Sequence, residues 1–389
     1  MSSIRGAAAI VGIGQTPWYK RATAPDTEFA LAIKAIVAAA DDAGLSVRDI
    51  DGFVSWGSEK NAGQYLMSSL GTKELRYGAL MWTHGGGSAG AIGMAAAAIA
   101  TEQAEIVVVI RAMAEKGQST RLMTAVSQGA APPSLRVNGL SAPAQGFGLS
   151  ASRLLEFEGV SHDALWAFVH ASYYHASQNP NAAGRLADLD RESYDDARQP
   201  ASPLRLFDIS RENDAAIALI LVSAERAKDL KQKPAYVLAS TMGRAGGRDH
   251  SASEDPDGHM TVGYRPVAAR CWAQAGYGPG DVDVAQIYAN SSNQAVNGMI
   301  DHGFCTWENV NEFLQFENLI APNGGLPINT AGGDLADGFL HGAGNNAEAV
   351  RQLRGTSANQ VPNARLSLVT GGPGDHFVST TLLGTDETL

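Results

Sequence analysis

The strongest constraint on this chain is a pattern that occurs twice. Ala43-Gly44-Leu45-Ser46-Val47-Arg48-Asp49-Ile50-Asp51 returns as Ala275-Gly276-Tyr277-Gly278-Pro279-Gly280-Asp281-Val282-Asp283, in the same register. Each copy follows a helical pattern and precedes a strand-like run, Gly52–Ser55 and Ala285–Tyr288. Further on, a glycine-rich turn leads into a helix and a buried strand in both places: Gly85–Gly90 before Ile106–Ile110, and Gly332–Gly344 before Leu366–Val369. Strand–helix–strand units in matching order predict a duplicated α/β domain. The length of 389 residues agrees, because single hydrophobic cores stop growing near ~250–300 residues. The halves are expected at 1–225 and 226–389, the first with an inserted region over 116–204.

Local patterns fill in the frame. Ile10–Ile13 reads as a buried strand leaving into Thr16-Pro17. From Asp26, the expected N-cap, Phe29, Ile33, Ile36, Val37 and Ala40 recur at helical spacing until Gly44 stops the helix. Ile106–Ile110 is a continuous β-branched run of the kind buried on both faces of a sheet. The region 116–204 departs from the repeat, with Pro132-Pro133, Pro143 and Asn179-Pro180 around a helix from Asp163 to Ala176. Gly243–Gly258 lacks any periodicity and reads as a long functional loop.

Charge and cysteine content remove several function classes. With 29 basic against 40 acidic residues, the net charge of −11 repels phosphate backbones and anionic lipid, so neither nucleic acid nor a membrane is expected as partner. Two cysteines, Cys271 and Cys305, build neither a disulfide framework nor a four-ligand zinc site. The longest apolar stretch, Ala89–Ala100, is too short to span a bilayer, and the first residues lack a signal-peptide pattern. The expectation is a cytoplasmic protein, with no metal.

Four passages carry a family resemblance: AAIVGIGQTP at the start, PLRLFD…NDAAIALIL (Pro203–Leu221), DVDVAQIY (Asp281–Tyr288) and INTAGGDLADGFLHGAG (Ile328–Gly344). Over nearly the full chain the sequence resembles the thiolase superfamily, and in particular its lipid-transfer-protein branch. The resemblance implies a duplicated five-layer αβαβα fold, with two mixed sheets and helices between and outside them. It also implies a homodimer paired through a sheet strand, for which the run Ile106–Ile110 is the natural choice. Members of the branch look like aldolases that cleave side chains of steroid-type acyl-CoA thioesters, working with a small zinc-ribbon and OB-fold partner.

A thiolase uses a cysteine at the N-terminus of a helix, where the dipole lowers the thiol pKa. Here that turn reads His84-Gly85-Gly86-Gly87-Ser88-Ala89-Gly90, without cysteine, and the second thiolase cysteine is missing near Gly371. Acyl transfer through a cysteinyl intermediate is therefore excluded, and Ser88 lacks a placed base. Gly85-x-Gly87-x-x-Gly90 formally matches a dinucleotide fingerprint. The next strand run, however, is followed by Arg111, not by an acidic ribose ligand. The glycines, with Ser88, are better read as allowing close approach of an acyl thioester.

The chemistry left to such a pocket is retro-aldol cleavage of a β-hydroxyacyl-CoA, with the thioester carbonyl taking the charge. The resemblance to the aldolase branch implies a pair of catalytic tyrosines; here the first is kept as Tyr288 and the second position is Phe339. Tyr288 then needs a proton-transfer companion, for which His341, His376 and His84 are the candidates, because imidazole titrates near neutrality. Asp334 and Asp337 either orient a histidine or cap a helix. Arg244 and Arg248, in the loop that lines the CoA channel of thiolases, are candidate ligands for the nucleotide phosphates. Phe339 and Gly371 complete the expected substrate-binding set. No cofactor is expected beyond the CoA thioester itself. The other reading is a non-catalytic acyl-CoA- or sterol-binding subunit, or a scaffold, with a degenerate pocket.

Overall fold

The computed structural model describes residues 4–57, 61–81, 83–115, 137–140, 142–186, 189–244, 253–254, 258–372 and 377–389. Nine strands lie in one hydrogen-bonded path: β1 (Ala8–Gln15), β2 (Gly52–Trp56), β3 (Tyr77–Met81), β4 (Val107–Met113), β5 (Asn213–Ser223), β6 (Ala235–Gly243), β7 (Val284–Gln286), β8 (Leu366–Gly371) and β9 (Val378–Gly384). Their order is β7-β8-β9-β6-β1-β5-β4-β2-β3. The path is two half-sheets meeting at a short seam, where Ala9 pairs with Tyr236 and Ile10 with Ala235. The two expected mixed sheets are thus present but joined at their centre.

The pairing on either side of the seam matches strand for strand. β1–β5–β4–β2 on one side mirrors β6–β9–β8–β7 on the other, with parallel and antiparallel neighbours in the same places. Even the outermost strand recurs: β3 runs parallel to β2, and Ile328 makes a single parallel bridge to Ala285 of β7. The repeated nonapeptide explains part of this. Gly44 and Gly276 both terminate a helix in the left-handed conformation, at φ 72° and 74°, which glycine adopts without a steric penalty. Asp51 then accepts the backbone N–H groups of Glu105 and Ile106, and Asp283 those of Arg365 and Leu366. In each half the same aspartate pins the entry of the strand that pairs beside it.

Side chains of the central strands alternate between two cores. On β5, Ala216, Ala218, Ile220 and Val222 face outward while Ala215, Ile217, Leu219 and Leu221 face inward; with both faces buried, a continuous apolar run is required. Helices α1 (Glu28–Ala43) and α5 (Arg265–Ala275) cover the outer faces. Helices α2 (Ser88–Ala100) and α7 (Ala343–Arg354) fill the layer between the half-sheets. In that layer α2 has to be small-residued: a Cβ at Gly93 would fall 2.2 Å from Ser240 Oγ. The expected five layers follow.

Two local expectations change. Thr27, not Asp26, caps α1 by accepting from Ala30 N, while Asp26 pairs with Lys34. Within 116–204, the described part holds α3 (Pro143–Glu156) and α4 (His162–Gln178), whose Leu154, Leu165 and Phe168 join the outer core. Helix α6 (Ser292–Asp301) packs beneath them. Among the described residues no helix is long and apolar enough to cross a membrane.

Candidate active site

The two glycine-rich turns and the end of β7 converge at the inner layer. Tyr288, two residues past β7, is buried, and its backbone N–H donates to Thr370 Oγ1 at 2.8 Å. The hydroxyl presses on the turn before α2: a Cβ added at Gly85 would lie 1.9 Å from Tyr288 Oη. Phe339 stands edge-on to Tyr288, ring centres 6.1 Å apart, and edge-on to His341 at 5.2 Å. His84 completes the row, 6.3 Å from His341. Exposure rises along it, from buried Tyr288 and Phe339 through half-buried His341 to exposed His84. The row therefore runs from the interior to solvent.

The expected residues Tyr288, Phe339, His341, His84, Gly85, Gly87, Ser88 and Gly371 are thus brought together from distant parts of the chain. Arg244 sits one residue beyond the Gly243–Val378 pair, at the end of β6. His376 and Arg248 lie outside the described residues.

Several groups act differently from what their spacing implied. The glycines of the turn approach protein atoms: Gly86 faces the Phe377 carbonyl, Gly87 the Thr83 hydroxyl and Gly90 the Met242 sulfur. At Gly371 a Cβ would come within 2.5 Å of both Ser88 Oγ and Ser379 Oγ. A cysteine side chain at Gly371 itself would have to displace one of these hydroxyls. Ser88 is fully buried, and among the described residues its Oγ has no hydrogen-bond partner. The thiols of Cys271 and Cys305 are pushed up to about 12 by burial, well away from nucleophilic character.

Asp337 stands at the C-cap of the short helix Gly333–Ala336, and among the described residues neither its carboxylate nor that of Asp334 bonds a histidine ring. Asp334 accepts from Ala289 N at 3.0 Å and Asn345 Nδ2 at 3.1 Å, tying the Tyr288 passage to the glycine turn. Asp337 accepts from Trp18 Nε1 and Asn179 Nδ2. Burial raises both carboxyls to about 7. His341 and His84 adopt left-handed backbone, φ 50° and 42°, a conformation that non-glycine residues hold mainly where the surroundings impose it.

Three supporting residues escaped the sequence reading. Trp56 donates its indole N–H to the His341 carbonyl at 3.0 Å. Asn329 accepts the N–H of Ile287 at 2.7 Å, holding the end of β7. Arg111, only 1% exposed, reaches His341 Nδ1 at 3.0 Å. The available signal was a charged residue directly after a fully apolar strand run.

Comparison with known proteins bears on the family of the chain. A family model described as thiolase C-terminal domain-like matches residues 245–384. The 17-hydroxy-3-oxo-4-pregnene-20-carboxyl-CoA lyase of Mycobacterium tuberculosis (strain ATCC 25618 / H37Rv) is 35% identical, over 95% of this chain and 97% of that protein. The steroid side-chain-cleaving aldolase of Thermomonospora curvata is 33% identical, over 96% and 97%. The solved structure of an Ltp2-ChsH2(DUF35) aldolase superposes with a TM-score of 0.90 at 31% identity, covering 100% of both chains. Human mitochondrial 3-ketoacyl-CoA thiolase shares the fold, with a TM-score of 0.69 at 14% identity over 99% of each chain. Sequence and architecture together place the chain in the thiolase superfamily, within its lipid-transfer-protein-like aldolase branch.

Proposed function

We propose that this protein is a carbon–carbon lyase that cleaves a β-hydroxyacyl-CoA by retro-aldol chemistry, without a cysteine nucleophile. The observation that carries the reading is the Tyr288 hydroxyl lodged against Gly85, at the helix start where a thiolase would place its sulfur. In the proposed reaction the Tyr288 phenolate takes the proton of the β-hydroxyl. The Cβ–O bond becomes a carbonyl, the Cα–Cβ bond breaks, and its electron pair moves onto the thioester as an enolate. Return of the proton to Cα releases a shortened acyl-CoA and a ketone or aldehyde. The thioester is itself the electron sink, so the scheme needs no further cofactor.

Relatives that act on steroid side chains support a bulky, steroid-type acyl group as substrate. The Ltp2-ChsH2 complex supports a small partner subunit beside this chain. We further propose a homodimer. The run 106–110 cannot serve as its pairing strand, since β4 is already hydrogen-bonded on both sides, to β2 and β5. The edge strand β3, with Leu80 40% exposed, is the one offered instead. The two buried thiols suit a reducing cytoplasm.

The test is Tyr288→Phe assayed on β-hydroxyacyl-CoA thioesters with the partner subunit present. Loss of a proton-transfer group predicts a fall in kcat of about 10²–10⁴-fold. A Phe variant as active as wild type removes Tyr288 from the mechanism. A wild type that releases no shortened acyl-CoA leaves the binding-subunit reading in its place.

A further inference from the structure

The histidine best placed to accompany Tyr288 is held by a cation. Arg111, buried on β4, sets Nη2 3.0 Å from His341 Nδ1. A guanidinium has only donors and stays protonated, so the nitrogen facing it must offer its lone pair. The single proton of the imidazole is then on Nε2. The rest of the residue is equally constrained: Trp56 fixes its carbonyl, Phe339 stands edge-on to its ring, and Gly342 behind it packs against Ser88 and Tyr288.

We propose that Arg111 is a positioning residue that sets His341 as a neutral, Nε2–H hydrogen-bond donor, so that His341 meets negative charge developing on a substrate oxygen and does not accept a proton. Accepting a proton at Nε2 opposes the geometry both before and after the transfer. Beforehand, Nε2 is bare only if Nδ1 carries the proton and points it at the guanidinium N–H; afterwards, a full imidazolium stands 3.0 Å from a guanidinium. Among the described residues, the titratable side chains in the row around the ring are His84 and Tyr288, and the negative charge of the Tyr288 phenolate is discharged as it takes the β-hydroxyl proton. A donor role also divides the labour, leaving proton exchange to Tyr288 and charge stabilisation to His341. The substrate half of this inference rests on the lyase reading above; the tautomer half does not.

The experiment uses the full-length protein with its partner. First, ¹⁵N-histidine NMR of the wild type at neutral pH, with the His341 signal assigned by its loss in His341→Gln, reads the tautomer directly. The expected result is a pyrrole-like Nε2 and a pyridine-like Nδ1, retained in Arg111→Lys and averaged between tautomers in Arg111→Met. Second, His341→Ala should lower kcat by about 10²-fold with little change in KM, as for loss of one oxyanion donor. His341→Gln, which donates but cannot take a proton, should recover about tenfold of that loss. A protonated Nδ1 in the wild type overturns the proposal, as does a Gln variant no better than Ala. Should Arg111→Met fail to fold, the wild-type and Lys spectra still decide. If the wild type proves inactive, the lyase reading fails while the tautomer result stands separately.

Discussion

Gly85→Ala is the substitution with the most specific expected consequence. The added Cβ would sit 1.9 Å from Tyr288 Oη, 2.3 Å from Cζ and 2.6 Å from Cε2. Ordinary contact distances are ~3.5 Å, so the phenol or the turn must retreat by roughly 1.5 Å. Misplacing a reacting group by ~1 Å costs on the order of 10²-fold, which is about 2.7 kcal/mol in the barrier. Overpacking should also lower folding stability by about 1–3 kcal/mol. The assay is steady-state cleavage of a β-hydroxyacyl-CoA beside urea unfolding followed by circular dichroism. Gly146→Ala is the control: its Cβ position is open, it lies within α3, and alanine there should stabilise by up to ~1 kcal/mol. The decisive step is a double-mutant cycle. If Gly85 acts through Tyr288, Gly85→Ala should cost little further activity in a Tyr288→Phe background. Equal losses in both backgrounds, or a Gly85→Ala enzyme within about threefold of wild type, would refute the reasoning.

Other consequences follow from the same packing. Gly371→Cys should not create thiolase activity and should destabilise by about 1–3 kcal/mol, because the new side chain meets Ser88 and Ser379; recovered acyl transfer would contradict this. Asp337, raised to about 7 by burial against an ordinary 3.8, keeps a proton that the unfolded chain releases. Its contribution to stability is therefore full below pH 3.8 and is lost as pH rises through about 7. Asp337→Asn should flatten that slope relative to wild type in urea titrations across the window, whereas parallel curves would show the carboxyl to be ionised when folded. His175 and His302, lowered to about 4 by burial, work in the opposite direction, so the comparison must be between variant and parent. Asp51→Ala and Asp283→Ala should each cost about 1–3 kcal/mol by orphaning two backbone N–H groups, and should add when combined. Strong non-additivity in denaturant unfolding would show that the two halves are not independent at these anchors.

What could be read in advance was local or repeated. Gly44 and Gly276 end their helices in the left-handed conformation because that requirement is carried by one residue and its neighbours. The absence of a cysteine at the start of α2 excludes a cysteinyl intermediate whatever the surroundings. Helix α4 departs from its expected span by only a residue or two at each end, since periodicity is a property of the segment itself. Errors began where two local solutions compete: Asp26 and Thr27 both suit an N-cap, and only the path of the incoming chain selects Thr27.

The sequence by itself determined the duplicated α/β frame, the loss of sulfur chemistry and the retention of a tyrosine at the end of β7. Only the tertiary structure decided which atoms that tyrosine meets, that the two half-sheets are joined at Ala9 and Ile10, and that a buried arginine 230 positions away meets the His341 ring. The physical reason is range. Turn, cap and periodicity rules act over a few residues, whereas hydrogen-bond direction and burial depend on partners that the fold alone brings within 3 or 4 Å.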